Sequence, residues 1–363
     1  MFTPDDLCSL RWNAAACRAE IIDQTLLPHE LRWRQLTSLQ DYCQAISTMQ
    51  VRGAPLIGIT AAFGLACALA EDASSESLER AVTALLATRP TAVNLGWALQ
   101  NIRAVVALLP PAERATAALA RALELRDQDI ANCARIGEHG LGLLQALDRG
   151  RGINVMTHCN AGWLATISWG TALAPIYKAQ AAGIDVHVWV SETRPRNQGM
   201  SLTAWELQRA GVPCTIVTDS ACGRLLRQGA VDCVIVGSDR TAANGDVCNK
   251  IGTYLKALAA RANAVPFYVA LPESTIDWSS ADGDSIPIED RDTAEVLTVS
   301  GIDATGVIHE LVLSGTGSLA HNPAFDVTPA ALVDALVTEH GIFQASPAGL
   351  AQLRAQIFSS SPM

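Results

Sequence analysis

The stretch DCVIVGSDRTAANGDVCNKIGTY, from Asp232 to Tyr254, indicates both the fold class and the place of the chemistry. It opens with a short apolar, β-branched run and passes through a cluster of acids, an arginine, asparagines and a lysine. It then enters the helical pattern NKIGTYLKALAAR. A buried strand, a polar loop and a helix form one unit of an α/β fold with a parallel sheet. We therefore predict a strand that ends near Gly237 and a helix that opens at Asn249 and Lys250.

The same unit recurs through the second part of the chain. After Gly152, the short runs INVMTH, DVHVWV, CTIVT, DCVIVG and PFYVAL are each followed by polar residues and a helical pattern. Repetition of this kind predicts a parallel sheet with helices on both faces. VTPAALVDALVTEHG (Val327–Gly341) has the cap, first-turn proline and closing glycine typical of a further helix.

The first part of the chain has a different pattern. From about Leu36 to Leu147, apolar residues recur at helical spacing, and the first ~35 residues are mixed enough to form a small hairpin. The charged, glycine-rich DRGRG (Asp148–Gly152) is the expected linker. We predict a mainly helical N-terminal domain over 1–148 and an α/β domain over 149–363.

Composition narrows the class of protein. The 363 residues carry a net charge of −10, which argues against nucleic acid or an anionic membrane as the main partner. Ten cysteines without a CxxC pair favour free thiols in a reducing cytoplasm, and the N-terminus has no signal-peptide pattern. The longest apolar run, Ala54–Ala70, is short for a membrane span and predicts a buried helix.

Metal and nucleotide motifs are weak in this sequence. It has no HExxH and no paired cysteine and histidine spacing, so we expect no metal site. GTGSLA (Gly315–Ala320) matches a dinucleotide fingerprint, but Asn322 and Pro323 leave no room for the helix that such a site needs. We therefore expect no cofactor.

Candidate functional groups follow from the rule that ligands bind beyond the carboxyl ends of parallel strands. Cys159 follows INVMTH, Gln198 lies in the loop after DVHVWV, and Asp239 follows DCVIVG. A helix start near Gly162 would favour a thiolate at Cys159. Each residue also has a structural alternative, such as a packed turn for Cys159 or a partner for Arg240 in the case of Asp239.

Cationic groups are the second set of candidates. Arg52 and Gly53 precede Pro55, Arg89 precedes Pro90, and both arrangements suggest a helix start with a guanidinium nearby. Lys250 at a helix start would oppose the helix dipole, which an anionic ligand would explain. A surface charge is the alternative in each case.

Six motifs in order carry a family resemblance. MQVRGAPLIGITAAFGLA, RPTAVNL, THCNAGWLAT, SETRPRNQGMSLTAWEL, GSDRTAANGDVCNKIGTY and NPAFDVTPAALV together resemble the methylthioribose-1-phosphate isomerases. That family shares a superfamily with the regulatory subunits of the translation-initiation guanine-nucleotide exchange factor. The resemblance runs from about Asp23 to Ile342, nearly the whole chain.

The resemblance implies a Rossmann-like catalytic domain behind the helical one, a homodimer, and isomerisation of 5-methylthioribose 1-phosphate to 5-methylthioribulose 1-phosphate in methionine salvage. It implies Cys159 and Asp239 as catalytic residues. The substrate, and chiefly its phosphate, would be bound by Arg52, Gly53, Ala54, Arg89, Gln198, Asn249 and Lys250. Trp163 and Glu273 depart from the family pattern and leave the 5-substituent open.

Two mechanisms and three activities stay open at this stage. Because C1 carries the phosphate, an acid must protonate the ring oxygen, and a neutral Asp239 suits this step. Hydrogen then moves from C2 to C1 by proton transfer, with Cys159 as the base, or by a hydride shift that Cys159 stabilises. Alternatives are an isomerase of ribose 1,5-bisphosphate or 5-deoxyribose 1-phosphate, or a regulatory subunit without catalysis.

Overall fold

The computed structural model describes residues 7–89 and 92–360, and in this part helices dominate the chain from Leu39 to Leu147, as predicted. A capping box between Ser38 and Asp41 fixes the first of them. Ahead of the helices, three antiparallel strands form a small sheet, one strand more than the predicted hairpin. The strands are β1 (Leu10–Asn13), β2 (Arg18–Ile22) and β3 (Trp33–Leu36), and the helices are α1 (Leu39–Ser47), α2 (Ala54–Glu71), α3 (Ser75–Thr88), α4 (Val93–Val106) and α5 (Pro111–Leu147).

Helix α2 is the centre of the helical region. By length and composition it could cross a membrane, but 78% of it is buried inside the fold, where it packs against α4 and α5. Gly58 allows the close approach of α4, because a Cβ there would lie 2.7 Å from the carbonyl oxygen of Asn94. Each fully buried leucine or isoleucine contributes about 1.5–3 kcal/mol. The prediction of a buried helix over this run is confirmed.

A seven-stranded sheet forms the second part of the described chain, in the order β16-β15-β10-β7-β4-β5-β6. Its strands run parallel except β16, which pairs antiparallel with β15. All five predicted strand runs match strands of this sheet to within a residue or so at each end, and CTIVT supplies the edge strand β6. The strands are β4 (Ile153–His158), β5 (Val186–Ser191), β6 (Cys214–Val217), β7 (Cys233–Val236), β10 (Phe267–Ala270), β15 (Ala335–Thr338) and β16 (Gly341–Phe343).

Helices cover both faces of this sheet. One apolar cluster joins Val155 and Val188 to Ile176 and Leu207, and the other joins Val234 to helices of the opposite face. The helices are α6 (Ala174–Ala181), α7 (Ala204–Arg209), α8 (Ala221–Arg227), α9 (Thr253–Ala262) and α11 (Pro347–Ser360). The mixed α/β class, with a helical N-terminal region, is as predicted.

A four-stranded sheet beside the large one corrects two predictions. Its order is β11-β8-β9-β14, and a separate hairpin precedes β14. The elements are β8 (Arg240–Ala242), β9 (Val247–Lys250), β11 (Ile276–Asp277), α10 (Ala294–Leu297), β12 (Thr298–Ile302), β13 (Ile308–Val312) and β14 (Phe325–Thr328).

The predicted helix start at Asn249 and Lys250 is wrong. Both residues lie in β9, and α9 begins at Thr253, after the left-handed Gly252. Their backbone groups pair with β14, so a distant segment decides their conformation.

The predicted helix over Val327–Gly341 is also wrong. The segment forms β14, a short turn at Ala330–Leu332 and the fully buried β15. A short apolar run fits a buried strand as well as a helix, and the place of β15 between β10 and β16 decides which.

Candidate active site

Loops from the large sheet and the start of α2 enclose a cavity of about 630 Å³, counted with its open mouth. It contains eight of the nine residues predicted for the site: Arg52, Gly53, Ala54, Arg89, Cys159, Gln198, Asp239 and Lys250. The ninth, Asn249, lines an adjoining cavity of about 420 Å³ that shares Arg52, Cys159 and Asp239 with the first.

The hairpin of β8 and β9 brings Asp239 and Lys250 together. The chain leaves β7, and the amide of Asp239 donates to the carbonyl of Cys248 at 3.0 Å. β9 then returns to Lys250, which pairs with Phe325 of β14. The Lys250 ammonium lies 4.6 Å from the Phe325 ring centroid, so the ring holds the cation by a cation–π contact. The polar stretch after β7 therefore brings the Asp239 carboxyl group and the Lys250 ammonium group to the same cavity.

Cys159 follows β4 in a left-handed conformation with φ of 62°, which is uncommon for a side chain other than glycine. Its amide donates to the Thr193 hydroxyl at 2.8 Å. Its thiol donates to the Gln198 amide oxygen at 3.3 Å. Loops from two neighbouring strands thus hold the sulfur in the cavity, as expected for chemistry at the carboxyl edge of a parallel sheet.

The predicted helix start near Gly162 is wrong. Only a three-residue turn, Trp163–Ala165, occurs there, and α6 begins at Ala174. The backbone N–H groups of this loop donate instead to buried carboxyl groups, for example Ile167 to Asp129 at 2.8 Å. The loop after Cys159 therefore supplies no helix dipole to favour the ionised thiol, and the helix start that lines this cavity is that of α2.

Arg52 and Gly53 do lie at a helix start, that of α2, as predicted. Gly53 has φ of 96°, and a Cβ there would lie 2.5 Å from the Ala165 carbonyl oxygen. The Arg52 guanidinium donates to the side-chain and main-chain oxygens of Asn160. Its buried Nε has no partner among the described residues and can donate to a ligand.

Arg89 does not open a helix, contrary to the prediction. It follows Thr88, the last residue of α3, as the C-cap, and α4 begins only at Val93. Pro90, named with it in that prediction, lies outside the described residues. The guanidinium forms a 3.0 Å ion pair with Glu289 and still lines the cavity.

The charges in the cavity suit an anionic ligand and an acid catalyst. Burial raises the pKa of Asp239, and the positive charges of Lys250 and Arg52 oppose that shift. Burial also raises the pKa of the Cys159 thiol, against the same two cations. It lowers the pKa of Lys250, and the charges of Cys159 and Asp239 oppose that change. A raised pKa favours the neutral forms of Asp239 and Cys159, which leaves the positive charges of Arg52 and Lys250 available to an anion.

The raised pKa of Cys159 predicts slow alkylation near neutral pH. Iodoacetamide reacts with the thiolate, and burial both disfavours this form and blocks access. We expect the exposed Cys17 to be modified first, with Cys159 following as pH rises. Peptide mapping by mass spectrometry measures both rates in one sample. Faster reaction at Cys159 than at Cys17 would contradict this account.

Comparison with known proteins identifies the family. The model of the initiation factor 2 subunit family matches residues 50–345 of this chain. The chain belongs to this family. The stretch includes every residue of the cavity named above.

Relatives within the initiation factor 2 subunit family carry two kinds of name. The chain is 58% identical over 342 residues to the methylthioribose-1-phosphate isomerase of Rhodospirillum rubrum, covering 92% of this chain and 88% of that protein. It is similar to the solved 5-methylthioribose 1-phosphate isomerase of Pyrococcus horikoshii at 34% identity and a TM-score of 0.83, covering 99% of both chains. It is also similar to the solved translation initiation factor eIF-2B subunit delta of A. fulgidus, at 36% identity and a TM-score of 0.78, covering 95% and 99%.

Two departures from the family pattern lie away from the cavity. Trp163 is buried against Trp205, with ring centroids 5.8 Å apart. Glu273 lines a separate cavity, where its carboxylate is hydrogen-bonded to His340 at 2.6 Å. Neither Trp163 nor Glu273 lines the cavity that contains Cys159 and Asp239, so the 5-substituent stays open on this point.

Sequence analysis missed part of the cavity wall. Phe325 and Ile286 line it, and Glu289 pairs with Arg89. Phe325 belongs to NPAFDVTPAALV, one of the six motifs that carry the family resemblance, so the sequence did mark its segment. Ile286 and Glu289 lie in an irregular segment without a strand or helix pattern, and no sequence signal identifies them.

Proposed function

We propose that this chain catalyses the isomerisation of 5-methylthioribose 1-phosphate to 5-methylthioribulose 1-phosphate, an intramolecular oxidation and reduction in methionine salvage. One observation supports this most directly. Cys159 and Asp239, from the ends of separate strands, line the same cavity as Arg52, Arg89 and Lys250. The high identity to a protein named methylthioribose-1-phosphate isomerase supports the same activity.

Asp239 is the proposed general acid. The anomeric phosphate prevents spontaneous opening of the sugar ring, so the ring oxygen must be protonated as its bond to C1 breaks. Burial keeps the Asp239 carboxyl protonated to higher pH than an exposed aspartate, which supports this role. General acid–base help of this kind is typically about 10²–10⁴-fold.

Cys159 is the proposed partner in the second step, the transfer of hydrogen from C2 to C1. In one route, a Cys159 thiolate removes the C2 proton and returns it to C1. In the other, hydride moves directly from C2 to a cationic C1, and the sulfur stabilises that charge. The raised pKa of the Cys159 thiol disfavours a thiolate in the free enzyme, which supports the hydride route.

Substrate deuterated at C2 distinguishes the two routes. We expect deuterium to be retained at C1 when the reaction runs in ordinary water and the product is examined by NMR. Loss of the label to solvent would contradict the hydride route and assign base catalysis to Cys159. The matched control is unlabelled substrate turned over in heavy water, which should gain no deuterium at C1.

The phosphate is the proposed ligand of the cationic side of the cavity. Arg52 and Arg89 each have an Nε without a partner in the described chain, and Lys250 adds a third charge. Asn249, Gln198 and the Gly53–Ala54 backbone would bind the sugar and its phosphate. Fixing the phosphate orients C1 and C2 toward Cys159 and Asp239.

An apolar part of the cavity wall supports a methylthio group rather than a second phosphate. It is formed by Met49, Ile57, Ile286 and Phe325. Arg240 also lines the cavity, but its guanidinium is paired with Asp277 at 3.1 Å. An apolar 5-substituent fits this wall better than an anion does.

Further features of the molecule are proposals as well. The six parallel strands follow the 3-2-1-4-5-6 order of Rossmann folds, which supports a Rossmann-like domain over 149–363 behind a helical domain over 1–148. The reaction is redox-neutral, so the proposal requires no cofactor and no metal. The net charge and free cysteines support a cytoplasmic protein without nucleic-acid or membrane partners, and family likeness supports a homodimer.

An assay of the purified protein, without added metal or nucleotide, tests the activity. We expect turnover of 5-methylthioribose 1-phosphate, weaker turnover of 5-deoxyribose 1-phosphate, and little of ribose 1,5-bisphosphate. If the protein prefers ribose 1,5-bisphosphate, that compound replaces 5-methylthioribose 1-phosphate as the proposed substrate. Because the chain is also similar to an eIF-2B subunit, the assay has a further possible outcome. If none of the three substrates is turned over and the protein binds a stable protein partner, a regulatory role would replace the proposed activity.

A further inference from the structure

A buried carboxyl group lies directly behind the phosphate side of the cavity. Glu206, in α7, has no exposed surface. It accepts hydrogen bonds from the Asn160 side-chain amide at 2.7 Å and from the Tyr177 hydroxyl at 3.1 Å. The backbone N–H groups of Trp163 and Leu164 donate to it at 2.9 and 3.0 Å. Four donors therefore converge on one carboxylate.

Asn160 is hydrogen-bonded to both Glu206 and Arg52, and so connects the two side chains. Asn160 turns its side-chain nitrogen to Glu206, so its side-chain oxygen faces the Arg52 guanidinium and accepts from it. The Asn160 carbonyl accepts a second bond from Arg52 at 2.7 Å. Because the amide has distinct donor and acceptor ends, the carboxylate behind it determines which end faces the arginine. The two hydrogen bonds orient the Arg52 guanidinium.

The same helix supports Cys159. The hydroxyl of Thr203, one turn before Glu206, donates to the Cys159 carbonyl at 2.6 Å. Gly162 makes room for the carboxyl group, since a Cβ there would lie 1.9 Å from a Glu206 oxygen. The loop that carries the reactive sulfur is therefore shaped around Glu206.

The positive charge nearest to Glu206 in this network is that of Arg52, which does not donate to it directly. Burial raises its pKa to about 7, and its hydrogen bonds and the nearby positive charge of Arg52 oppose that shift. Its four donors are uncharged groups, so the nearest counter-charge acts through Asn160. A buried carboxyl that only anchored a loop would not need to lie on the path to a ligand-binding arginine.

We infer that Glu206 is a positioning residue for phosphate recognition, which through Asn160 holds the Arg52 guanidinium in the orientation that binds the substrate phosphate. The inference rests on the proposed function only in taking the ligand to be a phosphate ester. Glu206 does not contact the cavity itself, since it lines neither of the two cavities that contain Cys159 and Asp239.

A double-mutant cycle on the full chain tests this. The variants are Glu206→Gln, Arg52→Lys and the double substitution, and the measurement is the Kd of inorganic phosphate by titration calorimetry. We expect Glu206→Gln to weaken phosphate binding about tenfold when Arg52 is present, because small misplacements of a positioning group are costly. In the Arg52→Lys background we expect a change of less than about twofold, since the two residues act as one unit.

Asp129→Asn is the matched control. Asp129 is also a buried carboxyl with a pKa raised to about 7, and it also holds an amide of this loop, that of Ile167. It has no path to Arg52 through Asn160. We expect Asp129→Asn to lower thermal stability and leave the phosphate Kd unchanged, whereas Glu206→Gln changes the Kd and raises KM more than it lowers kcat.

Three results would overturn the inference: an unchanged Kd in Glu206→Gln, an equal loss in both Arg52 backgrounds, or no phosphate binding by the native protein. If Glu206→Gln does not fold, Asn160→Ala replaces it, because it breaks the link while the other donors to Glu206 remain. Retention of the native phosphate Kd in Asn160→Ala would then reject the inference. Phosphate binding is measured without turnover, so absence of isomerase activity in the native protein would reject the proposed function and leave this test intact.

Discussion

Asp239→Asn should lower turnover of 5-methylthioribose 1-phosphate by about 10³-fold while leaving substrate binding nearly unchanged. Asparagine keeps the shape of the side chain but cannot supply the proton that ring opening requires. The substitution should not destabilise the fold, because burial already favours the neutral form of Asp239. Steady-state kinetics, substrate titration and thermal melting together measure the three effects.

Asp246→Asn is the matched control for this prediction. Asp246 lies in the turn of the same hairpin and accepts hydrogen bonds from the Gly283 and Ala330 amides. Burial raises the pKa of Asp246, but its hydrogen bonds together outweigh this and lower it. Its ionised form therefore stabilises the fold above the ordinary aspartate pKa, and that contribution is lost as pH falls through the lowered pKa. We expect Asp246→Asn to melt earlier and keep a near-native kcat. Near-native turnover in Asp239→Asn would remove Asp239 from the mechanism.

Cys159→Ala should lower kcat by about 10²- to 10³-fold, because it removes the polarisable sulfur from beside the reacting carbons. Cys159→Ser tests the route in which Cys159 is the base, since a hydroxyl is a far weaker base than a thiolate. The control is Cys248→Ala, which changes a second thiol on the cavity wall, one whose pKa burial raises to about 12. We expect Cys248→Ala to stay within a few-fold of the native rate. A similar loss in both variants would point to cavity packing instead of chemistry at Cys159.

Local sequence patterns were enough to predict the groups that follow the large parallel sheet. Cys159 and Asp239 follow β-branched runs closely, Gln198 lies in the loop after another, and the carboxyl edge of a parallel sheet collects such residues. Helical periodicity likewise predicted the first region and the buried α2. These features depend on neighbours in the chain, so a single sequence reveals them.

Long-range pairing explains what the sequence could not predict. Asn249 and Lys250 have a helical pattern after them, but their strand exists only because β14 pairs with it from far along the chain. The run Ala335–Thr338 is a strand because neighbouring strands bury it on both sides. Glu206 carried a weak signal: a carboxyl on the same helical face as Leu202 and Ala210. Its partners lie in another loop, so the sequence alone could not name them.

Arg52 and Arg89 reach the cavity from the helical region, whereas Cys159 and Asp239 reach it from loops that follow strands of the large sheet. Neither region alone contains all the residues proposed for phosphate binding and catalysis. A bound sugar phosphate would therefore contact both regions. A slight change in how the two regions meet could therefore abolish turnover with every reactive side chain intact.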